Sequence, residues 1–180
     1  MAVIEAIATT YLEAQASTVV FDSLGSYEHL QLRMSLRTVA TGTYGLGEMR
    51  FGSGGAVAYD SGANYSHHFM SGTGTTEAAA AATGADAARF YTYATSDMDS
   101  ADFGTVIIDI LDYQNTAKNV TYSYLGSAPN TAGGMYLVVG SGLWNKTGDH
   151  VGEALTKFYV QSPSYVARGS EISLYGLNSS

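Results

Sequence analysis

The chain has 180 residues and a mass of 18.9 kDa, enough for one domain with a proper core. Its formal net charge is −8 and its 8 Lys and Arg residues form no cluster, which excludes the concentrated positive field that nucleic-acid phosphates require. Cysteine is absent, so no disulfide or thiolate metal site holds the fold; charged residues make up only 13%, which leaves Ser, Thr, Gly, Asn and Tyr to form the polar surface.

The start, Met1-Ala-Val-Ile-Glu-Ala-Ile7, has no basic segment ahead of an apolar stretch, and no run elsewhere approaches the roughly 20 apolar residues of a membrane span. A soluble, leaderless chain without a membrane partner is expected. Residues 1–16 fit two readings: Ile4, Ile7, Tyr11 and Leu12 suit a helical face, while Val3-Ile4 and Thr9-Thr10-Tyr11 suit an extended arm or first strand. From residue 17 to 180 the pattern is that of one β domain. Thr18–Phe21 is a β-branched and aromatic run closed by Asp22-Ser-Leu-Gly25. Leu30, Leu32, Met34 and Leu36 then alternate with Gln31, Arg33, Ser35 and Arg37, the mark of a half-buried strand.

Glu48–Phe51 and Asn64–Met70 read as short strands between glycines. Gly72–Ala88 is rich in Gly, Thr and Ala and has no apolar stripe, which predicts a loop with a short helical piece at Ala78–Ala82. Phe90–Tyr93 resumes β character. Thr105–Leu111 is the most apolar run and predicts a central strand buried on both faces. Asn119–Tyr124, Met135–Val139, Ala154–Val160 and Glu171–Leu177 complete the series of short strands, which predict an all-β, jelly-roll-like two-sheet antiparallel β-sandwich with an extended N-terminal arm.

Motifs for chemistry are sparse. No Gly-x-Ser-x-Gly elbow is present, and Gly52-Ser-Gly-Gly55 and Gly140-Ser-Gly142 read as turns. Lys146-Thr147 lacks the preceding Gly of a phosphate loop. Adjacent His67 and His68 point to opposite faces of a strand, and His29 and His150 stand alone. Asp97, Asp99 and Asp102 are a Ca²⁺ candidate, since loop carboxylates at alternating positions bind that ion, but a solvated acidic turn explains them as well. Trp144 and Asn145, in a Gly-flanked turn, are a candidate sugar platform, an aromatic face beside an amide; the same Trp also suits a plug at the end of a sandwich. Asp109 and Asp112 flank the apolar run without forming a recognisable acid–base pair. No catalytic residue and no cofactor is expected.

Ile7-Ala-Thr-Thr10, Ser17–Phe21, Tyr27–Arg37, Asn64-Tyr-Ser66, Gly142-Leu-Trp144 and Glu171-Ile-Ser-Leu-Tyr-Gly-Leu177 follow one another in order. Together this set, spanning roughly residues 6–177, resembles a family of tailed-bacteriophage structural proteins ending in a Leu-Tyr-Gly signature. The resemblance implies a non-enzymatic virion component, either head decoration and cement or part of the tail and fibre, with other capsid or tail proteins as partners. It also favours the extended reading of residues 1–16. Gly72–Ala88 departs from the pattern. Low charge and many sheet edges separately predict self-association, with a homotrimer expected and Arg33 and Arg37 as subunit contacts. The alternative is a carbohydrate-binding adhesin or receptor-binding domain that takes a host surface glycan at Trp144 and Asn145.

Overall fold

A computed structural model describes residues 3–43, 45–54, 59–129 and 134–178. Twelve strands run through them: β1 Val3–Tyr11, β2 Ala16–Phe21, β3 His29–Leu36, β4 Gly45–Ser53, β5 Tyr65–Gly72, β6 Glu77–Ala85, β7 Ala88–Tyr93, β8 Gly104–Leu111, β9 Val120–Pro129, β10 Met135–Trp144, β11 Leu155–Val166 and β12 Glu171–Asn178. The only helical element among the described residues is a single 3₁₀ turn, Gly148–His150.

The strands form an eight-stranded sheet in the order β1-β12-β3-β8-β9-β10-β5-β6 and a four-stranded sheet in the order β2-β11-β4-β7, with every strand pair antiparallel. This is the expected two-sheet, jelly-roll-like sandwich. Alternation decides which side chains meet inside. Leu30, Leu32, Met34 and Leu36 of β3, Val106, Ile108 and Ile110 of β8, and Ile172 and Leu174 of β12 face Val19 and Phe21 of β2, Met49 and Phe51 of β4, and Phe158 and Val160 of β11 across one continuous core. Phe51 is its aromatic centre, with ring centroids 5.6 Å from Trp144, 6.1 Å from Tyr65, 6.2 Å from Phe158 and 6.5 Å from Tyr122.

Of the two readings of residues 1–16 the extended one holds: Val3–Tyr11 is β1, which pairs with β12 from Val3↔Asn178 to Tyr11↔Glu171, and Met1 and Ala2 lie outside the described residues. Three local expectations are corrected. The Ala78–Ala82 run is not helical. It is the middle of edge strand β6, where pairing with β5 supplies the hydrogen bonds that a helix would have made internally. The Thr105–Leu111 run is buried on one face only, since Ile107 and Leu111 project outward. Finally, Gly140 and Gly142 lie within β10 instead of a turn, because their cross-strand partners Tyr124 and Tyr122 lay their rings over the two glycines. Gly52 and Ser53 close β4, and Gly55 lies outside the described residues.

Candidate functional site

The large sheet has two faces with different chemistry. On its outer face the register brings Ile107 of β8, Leu125 of β9, Val139 of β10 and Met70 of β5 side by side as direct cross-strand partners, and Ala79 of β6 ends the row. Leu137 and Met135 follow Val139 on the same face of β10. These six large side chains are 43% to 63% exposed, a contiguous apolar band on a surface that should be polar if it met only water. Because β6 presents alanines beside Met70, the band carries a shallow hollow of about 640 Å³ bordered by His68, Met70, Ala79, Ala81, Val139 and Ser141.

The other half of the same face is polar. The side-chain amide of Gln31 donates to Asp109 Oδ1 at 2.8 Å, Arg33 Nε donates to Gln31 Oε1 at 2.8 Å, and the Arg33 guanidinium stacks 5.0 Å above the Tyr175 ring. Arg33 is also the cross-strand partner of Ile107, so it sits where the polar half meets the apolar band. Asp109 is engaged as an acceptor on this open face. Asp112 accepts from Lys118 Nζ at 2.8 Å, an interaction that holds its carboxyl below the usual range.

The remaining site candidates fall elsewhere. Arg37 turns back on its own chain: its guanidinium donates to the carbonyls of Met98 and Asp102 at 3.0 Å each, and to that of Asp99. The 97–102 loop is thus organised around a guanidinium. Asp97 accepts from the Gly42 amide at 2.8 Å, which ties the loop to the segment after β3, and Asp99 accepts from the Ala101 amide at 3.0 Å, as a turn-forming carboxylate does. Among the described residues no three His, Cys, Asp or Glu side chains are grouped to hold a metal ion.

Trp144 is fully buried, stacked 6.4 Å from Tyr65, and its Nε1 donates to Asp60 Oδ2 at 2.7 Å. No face of this ring is open to a sugar, so the plug reading of Trp144 holds and the platform reading is corrected. Asn145 is exposed, but without the ring beside it it makes no platform. Ser53 Oγ lies 2.9 Å from His150 Nδ1; Ser53 is buried, so the pair ties β4 to the Gly148–His150 turn and presents no accessible nucleophile.

A second concavity lies at one end of the sandwich. Tyr27, Glu28, Asp112, Gln114, Asn115 and Asn178 border a cleft of about 460 Å³ lined by amides, carboxylates and one aromatic ring. Neither this cleft nor the apolar band stands out in the sequence. Leu125, Leu137, Val139 and Met70 each look like ordinary strand residues; the available signal was that they share parity with Ser and Thr positions, opposite the inward Tyr122, Tyr124 and Tyr136.

No family model matches the chain, and no curated protein matches it. Among solved structures it is similar to sheep galectin-11 in complex with glycerol at 6% identity, covering 87% of this chain and 98% of that one with a TM-score of 0.32. It is also similar to a legume lectin-like domain from Entamoeba histolytica at 8% identity, covering 98% and 88% with a TM-score of 0.32. The carbohydrate recognition domain of Emp46p in its potassium-bound form is similar at 8% identity, covering 97% and 88% with a TM-score of 0.28. These similarities are slight, and the fold stands on the strand pairing described above.

Proposed function

We propose that the chain is a non-enzymatic structural subunit, one that works by fitting its sheet surface against other subunits in a tailed-phage particle. The apolar band across β8, β9, β10 and β5 carries this reading, because covering a contiguous apolar surface of that size with another subunit removes it from water and is favourable. The particle itself has the ordered motif set from Ile7 to Leu177 in its support. The test is the composition of purified particles. The chain should be present there in copy numbers comparable to those of the main shell or tail proteins, and its presence only in the unassembled soluble fraction would overturn the proposal.

A second reading, binding of a carbohydrate, is favoured by one observation, the polar end cleft. An aromatic ring and several amides and carboxylates around a shallow concavity are the groups that meet the apolar face and hydroxyl rim of a sugar. It predicts that the protein labels a subset of a glycan array and that Asn115→Ala weakens this binding while Trp144→Phe leaves it unchanged. An array with no bound glycan removes it.

A further inference from the structure

We propose that two copies of this chain pair face to face through the outer surface of the eight-stranded sheet, about a two-fold axis that runs parallel to the strands between β9 and β10. The inference rests on the assembly reading above and names its partner as a second copy. The axis is placed by the apolar row alone. That row occupies four adjacent strands, β8, β9, β10 and β5, and its centre falls between β9 and β10.

A half-turn about that line sets β8 over β5 of the second copy and β9 over β10, while preserving the level along the strands. Ile107 then meets Met70 of the second copy and Leu125 meets Val139, so each of these four large side chains finds an apolar partner. The hollow beside Met70, which exists because Ala79 and Ala81 are small, receives the Ile107 side chain. Six half-exposed side chains leave on the order of 500 Å² of apolar surface per copy, at the upper end of what monomers carry and more than half of the roughly 800 Å² per partner that a standard interface buries.

The polar groups, which played no part in placing the axis, fall into register with it. The same rotation lays β3 over β6, bringing Arg33 above Ala79 of the second copy and within reach of Glu77, the next residue on that face. On the opposite side of the row from Glu77, Asp109 of β8 comes over His68 of the second copy. Each contact occurs twice by symmetry. A patch that meets itself in this way is isologous and closes at two copies, so the proposal is a dimer in place of the trimer expected from the sequence.

Light scattering of the full chain at micromolar concentration should give twice 18.9 kDa for the wild type and 18.9 kDa for Leu125→Lys, with the far-ultraviolet spectrum unchanged. Arg33→Glu and Glu77→Arg should each raise the dimer dissociation constant by about tenfold or more, and the double variant should restore it. Should Leu125→Lys fail to fold, the charge-reversal series decides alone. A dimer indifferent to Leu125→Lys and to both reversals overturns this pairing. A wild-type monomer at 100 μM also overturns it, yet leaves assembly with other subunits standing if purified particles contain the chain; absence from particles sinks the functional reading itself.

Discussion

Trp144 and Asp60 are both buried, and the indole Nε1 of the first donates a 2.7 Å hydrogen bond to the carboxylate of the second. The same carboxylate accepts from Asn64 Nδ2 at 3.0 and 3.1 Å and from the Gly62 amide at 2.8 Å, while the Asp60 carbonyl accepts from Tyr65 at 2.9 Å. A buried charge survives where enough donors surround it. Trp144→Phe keeps most of the ring volume and removes one of these donors, so it should cost about 1–3 kcal/mol. Trp144→Ala adds the cavity and should cost about 3–5 kcal/mol. Urea denaturation of the two variants distinguishes these values, and a Trp144→Phe variant as stable as the wild type would show that the hydrogen bond contributes little.

The Tyr-over-Gly pairs make a second prediction. A Cβ at Gly142 would stand 2.3 Å from the Tyr122 ring, and that ring is held in place because its hydroxyl donates to the Arg89 carbonyl at 3.0 Å. Gly142→Ala should therefore destabilise by about 1–3 kcal/mol through overpacking. Gly72 is also within a strand, at the solvent end of β5, and nothing lies within 4 Å of its added Cβ. Gly72→Ala should be neutral or stabilise by about 0.5 kcal/mol, since it lowers the freedom of the unfolded chain at no steric cost. Melting temperatures of the pair give the answer directly.

The contrast between these glycines shows what sequence could and could not convey. Leu30–Leu36 announced its strand because period-two alternation is a local property that survives any tertiary arrangement. Ala78–Ala82 misled because alanine favours helix only when nothing else bonds its backbone, and β5 does. Gly140-Ser-Gly142 looked like a turn because the two tyrosines that occupy its missing side-chain space come from the preceding strand β9, beyond the reach of a local pattern. The apolar band was hidden for the same reason. Its members are far apart in the chain and become neighbours only through register.

Arg37 places its guanidinium in the 97–102 loop, whose carboxylates are a Ca²⁺ candidate by sequence. Its guanidinium meets three backbone carbonyls there, and its removal leaves those acceptors without their donor. Arg37→Ala should speed amide exchange across residues 97–102 and lower stability by about 1–2 kcal/mol. Added Ca²⁺ should shift the wild-type melting temperature by less than about 1 °C, the behaviour of a chain with no site to saturate. A Ca²⁺-dependent rise of several degrees would return the loop carboxylates to the role of ligands.

Acid sensitivity should trace to His67. The ring points inward from β5, is buried beside Tyr91 at 6.2 Å, and has a buried Nδ1 with no hydrogen-bond partner. Burial first, then the charges of Arg89 and His68, push its pKa below the ordinary 6.5. The unfolded chain thus takes up a proton near pH 6.5 while the folded chain still refuses it, so the extra proton is bound on the unfolded side. Stability is full above pH 6.5 and falls as the pH drops below it, with a slope of at most about 1.4 kcal/mol per pH unit, until the folded-state pKa is reached. Asp112, held low chiefly by Lys118, acts in a separate window: its contribution is present above its ordinary 3.8 and is lost only on further acidification. Urea midpoints between pH 7.5 and 5 should therefore decline for the wild type and stay nearly level for His67→Phe, which keeps a ring and gives up the titrating nitrogens. If both proteins lose stability in parallel over that range, the proton is being taken up elsewhere and His67 is not the sensitive group.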